Sequence, residues 1–115
     1  MRYEETLRRL AMIDEGFVVD QAGLELGPAG TPALDARTAA LLQLAASVAV
    51  GSARAGLKWS AARALAAGAT PDEIADVLLV IAPVAGLGRV VCAAPDVAAA
   101  LGYDVTAALE DPDGT

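Results

Sequence analysis

The residues whose types and spacing could do chemistry are Trp59, Ser60 and Arg63, the basic residues Arg54 and Lys58 beside them, and the pair Arg89 and Cys92. Cys92 is the only thiol, and Arg89 stands three residues before it, on the same face of a helix. A neighbouring guanidinium can lower a thiol's pKa and make it a nucleophile. Free cysteine is among the most buried residue types, however, so Cys92 is expected to be a small core residue between Val91 and Ala93. A thiol peroxidase cycle would also need a resolving thiol, which the sequence does not contain.

Trp59 and Arg63 are spaced i, i+4. That spacing lets an arginine stem pack on an indole ring with some cation–π stabilisation. The same two residues can instead line a ligand pocket together with Ser60. At about 100° per residue the three share one broad helix face. Lys58 is displaced from its centre, and Leu57, Ala61, Ala64 and Leu65 form the opposing packing side. In such a pocket Trp59 would be a wall, while Ser60 and Arg63 would present a hydroxyl and a guanidinium. The sequence has no histidine, so Ser60 is not a triad nucleophile. Its plainer role is a small helix residue that satisfies its hydroxyl on the preceding turn. Arg54, Lys58 and Arg63 form a basic cluster in an acidic chain. Either this is a solvated helix face, or it binds a carboxylate, whose geometry matches a guanidinium. An inward-pointing Arg63 must meet an acid or an anionic ligand, because an unpaired buried charge is costly. No metal site is expected, since the carboxylates group at helix starts rather than at ligand spacing. Gly86-Leu87-Gly88 has no strand before it, so it is not a dinucleotide fingerprint, and no cofactor is implied.

The elements that must hold these residues are helical. Leu57 to Ala67 contains no Pro or Gly and is rich in Ala and Leu, strong helix formers. Gly68 stops it. Thr70-Pro71-Asp72-Glu73 then reads as a complete helix start: a cap, a first-turn proline and a capping-box glutamate. Ile74, Val77, Leu78 and Ile81 follow as an i, i+3, i+4, i+7 stripe. The chain is therefore expected to be organised round a helical hairpin over 57–86. Before it, Asp35 caps a helix that runs to about Gly51, apolar almost all the way round and so expected to be buried on most sides. Gly51-Ser52 marks a kink or break. After it, Pro83 bends the end of the second hairpin helix, and Gly86 and Gly88 allow a sharp turn. Arg89–Leu101 is a third long helix, with a kink or restart expected at Pro95. Asp104 caps a last short helix through Leu109. At the other end Tyr3–Ile13 is a short helix with Glu4–Arg8 and Glu5–Arg9 pairs. Gly27–Pro32, with two Gly and two Pro in six residues, is a loop. The expected division is 1–32 as N-terminal helix and arm, 33–110 as helical core, and 111–115 as polar tail.

The 115 residues make one domain. Hydrophobic residues are 56% of the chain and aromatics only 3%, so Ala, Val and Leu must fill the core, which favours closely packed helices. A mean hydropathy of +0.50 is high for a chain so short that much of its surface stays exposed as a monomer. Apolar helix faces beyond what one core needs mark subunit interfaces, so a homo-oligomer is expected. A membrane span is not, because Gln43 and Ser47 break one apolar run and Asp76 and Arg89 bound the other. The N-terminal MRYEETLRRL has no apolar core of a secretory signal, and one cysteine fits a cytoplasmic location. The net charge of −7 argues against a nucleic-acid partner.

The run Ala64-Leu65, Gly68-Ala69-Thr70, Glu73-Ile74, Val77-Leu78 and Gly86 resembles the signature of the carboxymuconolactone decarboxylase family, which includes the alkylhydroperoxidase-D type proteins. The resemblance extends upstream to Leu34-Asp35-Ala36-Arg37-Thr38 and covers roughly residues 34–101. It implies an all-α, multi-helix fold and a trimer, or a hexamer of two trimers. The peroxidase branch carries Cys-x-x-Cys-x-x-x-His before the Gly-Ala-Thr turn, and the decarboxylase branch a Glu four residues before a His. In this chain those cysteine positions are Ala53 and Gly56, the glutamate position is also Gly56, and the histidine position is Ser60. The resemblance thus implies fold and assembly but carries neither activity across. What remains to expect is a remodelled site that binds a small anionic organic molecule near Trp59, Ser60 and Arg63, with any reaction being a decarboxylation or isomerisation. The other expectation is a non-catalytic accessory oligomer.

Overall fold

The computed structural model describes residues 2–11 and 33–110. Among them are six α-helices and no strand: α1 (Arg2–Ala11), α2 (Ala36–Ala49), α3 (Arg54–Ala66), α4 (Pro71–Ala85), α5 (Leu87–Ala100) and α6 (Val105–Glu110). The expected loop at 27–32 lies outside the described residues.

The starts of α2, α4 and α6 are written in local side-chain hydrogen bonds. The Asp35 carboxylate accepts from the Thr38 N–H at 2.7 Å, and Asp104 accepts from the Ala107 N–H at 3.0 Å. At α4 the capping box is complete: Thr70 Oγ1 accepts from the Glu73 N–H at 3.1 Å, and the Thr70 N–H donates to Glu73 Oε1 at 2.9 Å. The other Glu73 oxygen pairs with Arg37, which fastens the start of α4 to the start of α2. In α1, Glu5 bridges both Arg8 at 2.7 Å and Arg9 at 2.9 Å. Those two hydrogen bonds hold its carboxyl down at a pKa of about 2. Helix α1 packs on none of the other described helices.

Helices α2, α3, α5 and α4 form a four-helix bundle in that cyclic order, with α6 against α5. The helix–turn–helix is present, and α3 starts three residues earlier than expected. Its two helices nevertheless touch least of all the packed pairs, because they sit on a diagonal with α2 and α5 between them. The core is made of Leu44 and Val48 from α2, Leu57, Ala61 and Ala64 from α3, Ile74 from α4, and Val90, Ala93 and Val97 from α5. Burying each of the larger ones stabilises the fold by about 1.5–3 kcal/mol. The alanines bring α3 close to its neighbours.

Three local expectations are corrected. Helix α2 is not buried on most sides within the chain: Leu42 on its outer side and its C-cap Val50 are exposed. Helix α5 runs unbroken through Pro95. The proline ring is on the exposed side, as is Val91, whose carbonyl loses its partner, while Val90, Ala93 and Val97 hold the helix to the core. The turn before α5 is made by Gly86 at φ 98° alone, and Gly88 is already helical.

Candidate functional site

The α3 helix carries the residues singled out by sequence, and its rotation is fixed by Leu57, Ala61 and Ala64 facing the core. Ser60 lies at the edge of that buried stripe, only 8% exposed, and its Oγ is 3.1 Å from Oγ of Ser47 on α2. Its hydroxyl is therefore engaged across a helix interface rather than only on its own helix. Trp59 is half exposed, and the Arg63 guanidinium lies over its ring, 4.5 Å from the centroid. Arg63 lies between Trp59 and Ser60 in angle, so the three form one face that runs from a buried hydroxyl to an open indole. Ala53, at the first cysteine position of the resembled motif, is the exposed N-cap of α3. Gly56, at the second, is partly buried in its first turn.

The basic cluster is divided. Arg54 pairs with Asp96 of α5 at 3.0 Å. With Lys58 and Tyr103 it lines a cleft of about 440 Å³. Arg63 is on the Trp59 face instead.

A second cleft of about 460 Å³ opens where α2 breaks before α3. Sequence reasoning did not find it. Gly51, at φ 74°, ends α2 in a left-handed conformation. The Arg89 guanidinium lies against it, so closely that a Cβ on residue 51 would collide with Nη1. Cys92 is a correction: it is exposed and lines this cleft. The stripe Val90, Ala93 and Val97 faces the core, which turns Cys92 away from it.

Two carboxyls are perturbed at the bundle's helix starts. Asp35 is held below the ordinary carboxylate range by the Thr38 N–H. Glu73 is held down first by the Thr70 N–H, with Arg37 adding to it and desolvation opposing. Both are cap residues, with no role in the α3 face. Among the described residues no helix is long and apolar enough to cross a membrane.

No curated protein and no solved structure matches the chain. The family model described as the carboxymuconolactone decarboxylase family matches residues 22–102, which takes in α2 to α5 and the α3 face. With that match over most of its length and an all-α bundle beneath it, the chain belongs to the carboxymuconolactone decarboxylase family.

Proposed function

We propose that this protein is a cytoplasmic homo-oligomer, a trimer or hexamer, with a remodelled family site that binds a small organic anion at Trp59, Ser60 and Arg63. The observation that carries the reading is the Trp59–Arg63 stack, held 4.5 Å apart at the open side of α3. An indole backing one face of a guanidinium strips water from it, which strengthens its attraction for a carboxylate, the anion whose geometry it matches. Ser60 can accept from Ser47 and keep its own proton for the ligand. The half-exposed indole is also apolar surface that a second subunit can help to cover. Other apolar surface supports assembly too. Between α2 and α4 an apolar groove of about 400 Å³ is lined by Leu41, Leu42, Val77, Val80 and Ile81. Leu79, Val84 and Leu87 are also exposed.

The chemistry of these three side chains favours binding over proton transfer. Arginine stays protonated, tryptophan only donates, and the serine has no base beside it. A decarboxylation fits within those limits. The carboxylate C–C bond breaks, carbon dioxide leaves, the electron pair moves into an adjacent carbonyl, Arg63 stabilises the charge that develops there, and water then protonates the carbon. The same shortage of a base supports the second reading, a non-catalytic accessory oligomer.

The test is a titration of Trp59 fluorescence, the chain's single tryptophan, with small carboxylates. Arg63→Ala should weaken binding roughly 10–100-fold, as for loss of a charged hydrogen bond. Unchanged titration in Arg63→Ala rejects the site. Sedimentation at micromolar concentration that finds only an 11.5 kDa species rejects the assembly.

A further inference from the structure

We infer that the cleft at the α2–α3 break is a second ligand site, for a short aliphatic monocarboxylate anchored by Arg89. It is independent of the Trp59 face. Leu57, which lines it, lies about 160° round α3 from Trp59, on the other side of the helix.

Three observations converge. The cleft has an apolar floor, made of Val48 and Leu57, both buried, and Ala93. At its mouth Arg89 makes no hydrogen bond or ion pair with any of the described residues, and its guanidinium is laid against the bare backbone of Gly51. A side chain at 51 would occupy that place, so the glycine there leaves room for the guanidinium as well as ending the helix. Finally, the one carboxylate in the cleft, Asp96, is only 17% exposed and is neutralised by Arg54 at 3.0 Å. The cleft therefore holds one net positive charge over an apolar floor, with the Ser52 hydroxyl region beside it. That is the complement of a carboxylate head on a short alkyl chain. An inorganic oxyanion would leave the floor unfilled, and an aliphatic amine would be repelled.

Cys92 lines the same cleft and is the chain's only thiol, so its alkylation by neutral iodoacetamide reports occupancy. The probe is valerate, with phosphate and n-butylamine as comparison ligands. At ten times its own Kd, valerate should slow alkylation about tenfold, in proportion to the unliganded fraction. Phosphate and n-butylamine at the same concentration should not slow it. Arg89→Ala and Arg89→Gln, both at an exposed position, should shift the valerate dependence at least roughly tenfold to higher concentration. Arg63→Ala should leave it unchanged, which separates this site from the Trp59 face. Equal protection by phosphate, protection that survives both Arg89 variants, no protection by valerate, or a native thiol that iodoacetamide does not reach would each overturn the inference.

Discussion

The Ser47–Ser60 bond offers the sharpest test of how α3 is tied to α2. The two Oγ atoms are 3.1 Å apart, Ser60 is 8% exposed and Ser47 is partly buried. Removing either hydroxyl forfeits a hydrogen bond worth about 0.5–1.5 kcal/mol net. Alanine at a helix interior returns up to about 0.5 kcal/mol of propensity. Each single variant, Ser47→Ala or Ser60→Ala, should therefore be destabilised by no more than about 1.5 kcal/mol. The propensity gains cancel in a double-mutant cycle, so the coupling energy isolates the bond and should be about 0.5–1.5 kcal/mol. Urea unfolding of the four proteins at pH 7 and one protein concentration measures it, the fixed concentration removing any mass-action contribution from assembly. Coupling below about 0.3 kcal/mol would mean that the singles are additive, and would refute the claim that Ser60 is tied to α2.

Thr70→Ala should cost about 1 kcal/mol in the same assay, because it removes the cap of α4; a neutral result would show that the box is frayed in solution. Asp35 and Glu73 have depressed folded-state pKa values, so they bind protons more readily when unfolded. Their contribution is full above the unfolded carboxyl pKa of about 4 and is lost as pH falls through the folded values. Melting temperature should therefore drop on acidification below about pH 4, and Glu73→Gln should flatten the fall; a variant with an unaltered acid limb would count against this assignment. No thiol-dependent hydroperoxide turnover is expected, because Cys92 is the sequence's only cysteine and has no resolving thiol beside it. Turnover that disappears in Cys92→Ala would show that the exposed thiol has chemistry of its own.

The features legible in the sequence are those whose hydrogen bonds join residues three apart. Asp35 to Thr38, Thr70 to Glu73 and Asp104 to Ala107 are each written within one turn, and each helix begins where its cap residue stands. The Trp59–Arg63 contact was legible for the same reason, being one turn long. What could not be read depends on how helices rotate against one another. The Ser60 hydroxyl finds Ser47 thirteen residues away, and Arg54 finds Asp96 on another helix. Cys92 was expected inside because its neighbours are small and apolar. Only the choice of Val90, Ala93 and Val97 as the packed stripe turns it outward. The Arg89 seat on Gly51 joins two helix ends across the bundle, and nothing in the local sequence signals it.

The diagonal placement of α3 and α4 bears on how the chain folds. Helices joined by a four-residue turn usually collapse on each other first and form a kernel that the rest joins. Here the pair shares little surface, and each buries its apolar face against α2 and α5, one of which precedes both and the other follows both. Each helix has only its α2 side covered until the chain has been made through Ala100. A fragment ending at Ala85 would leave Leu57, Ala61 and Ile74 without the α5 side of their shared core. Cooperative folding thus has to wait for the C-terminal third of the bundle, and the four helices should gain hydrogen-exchange protection together rather than as a hairpin followed by additions.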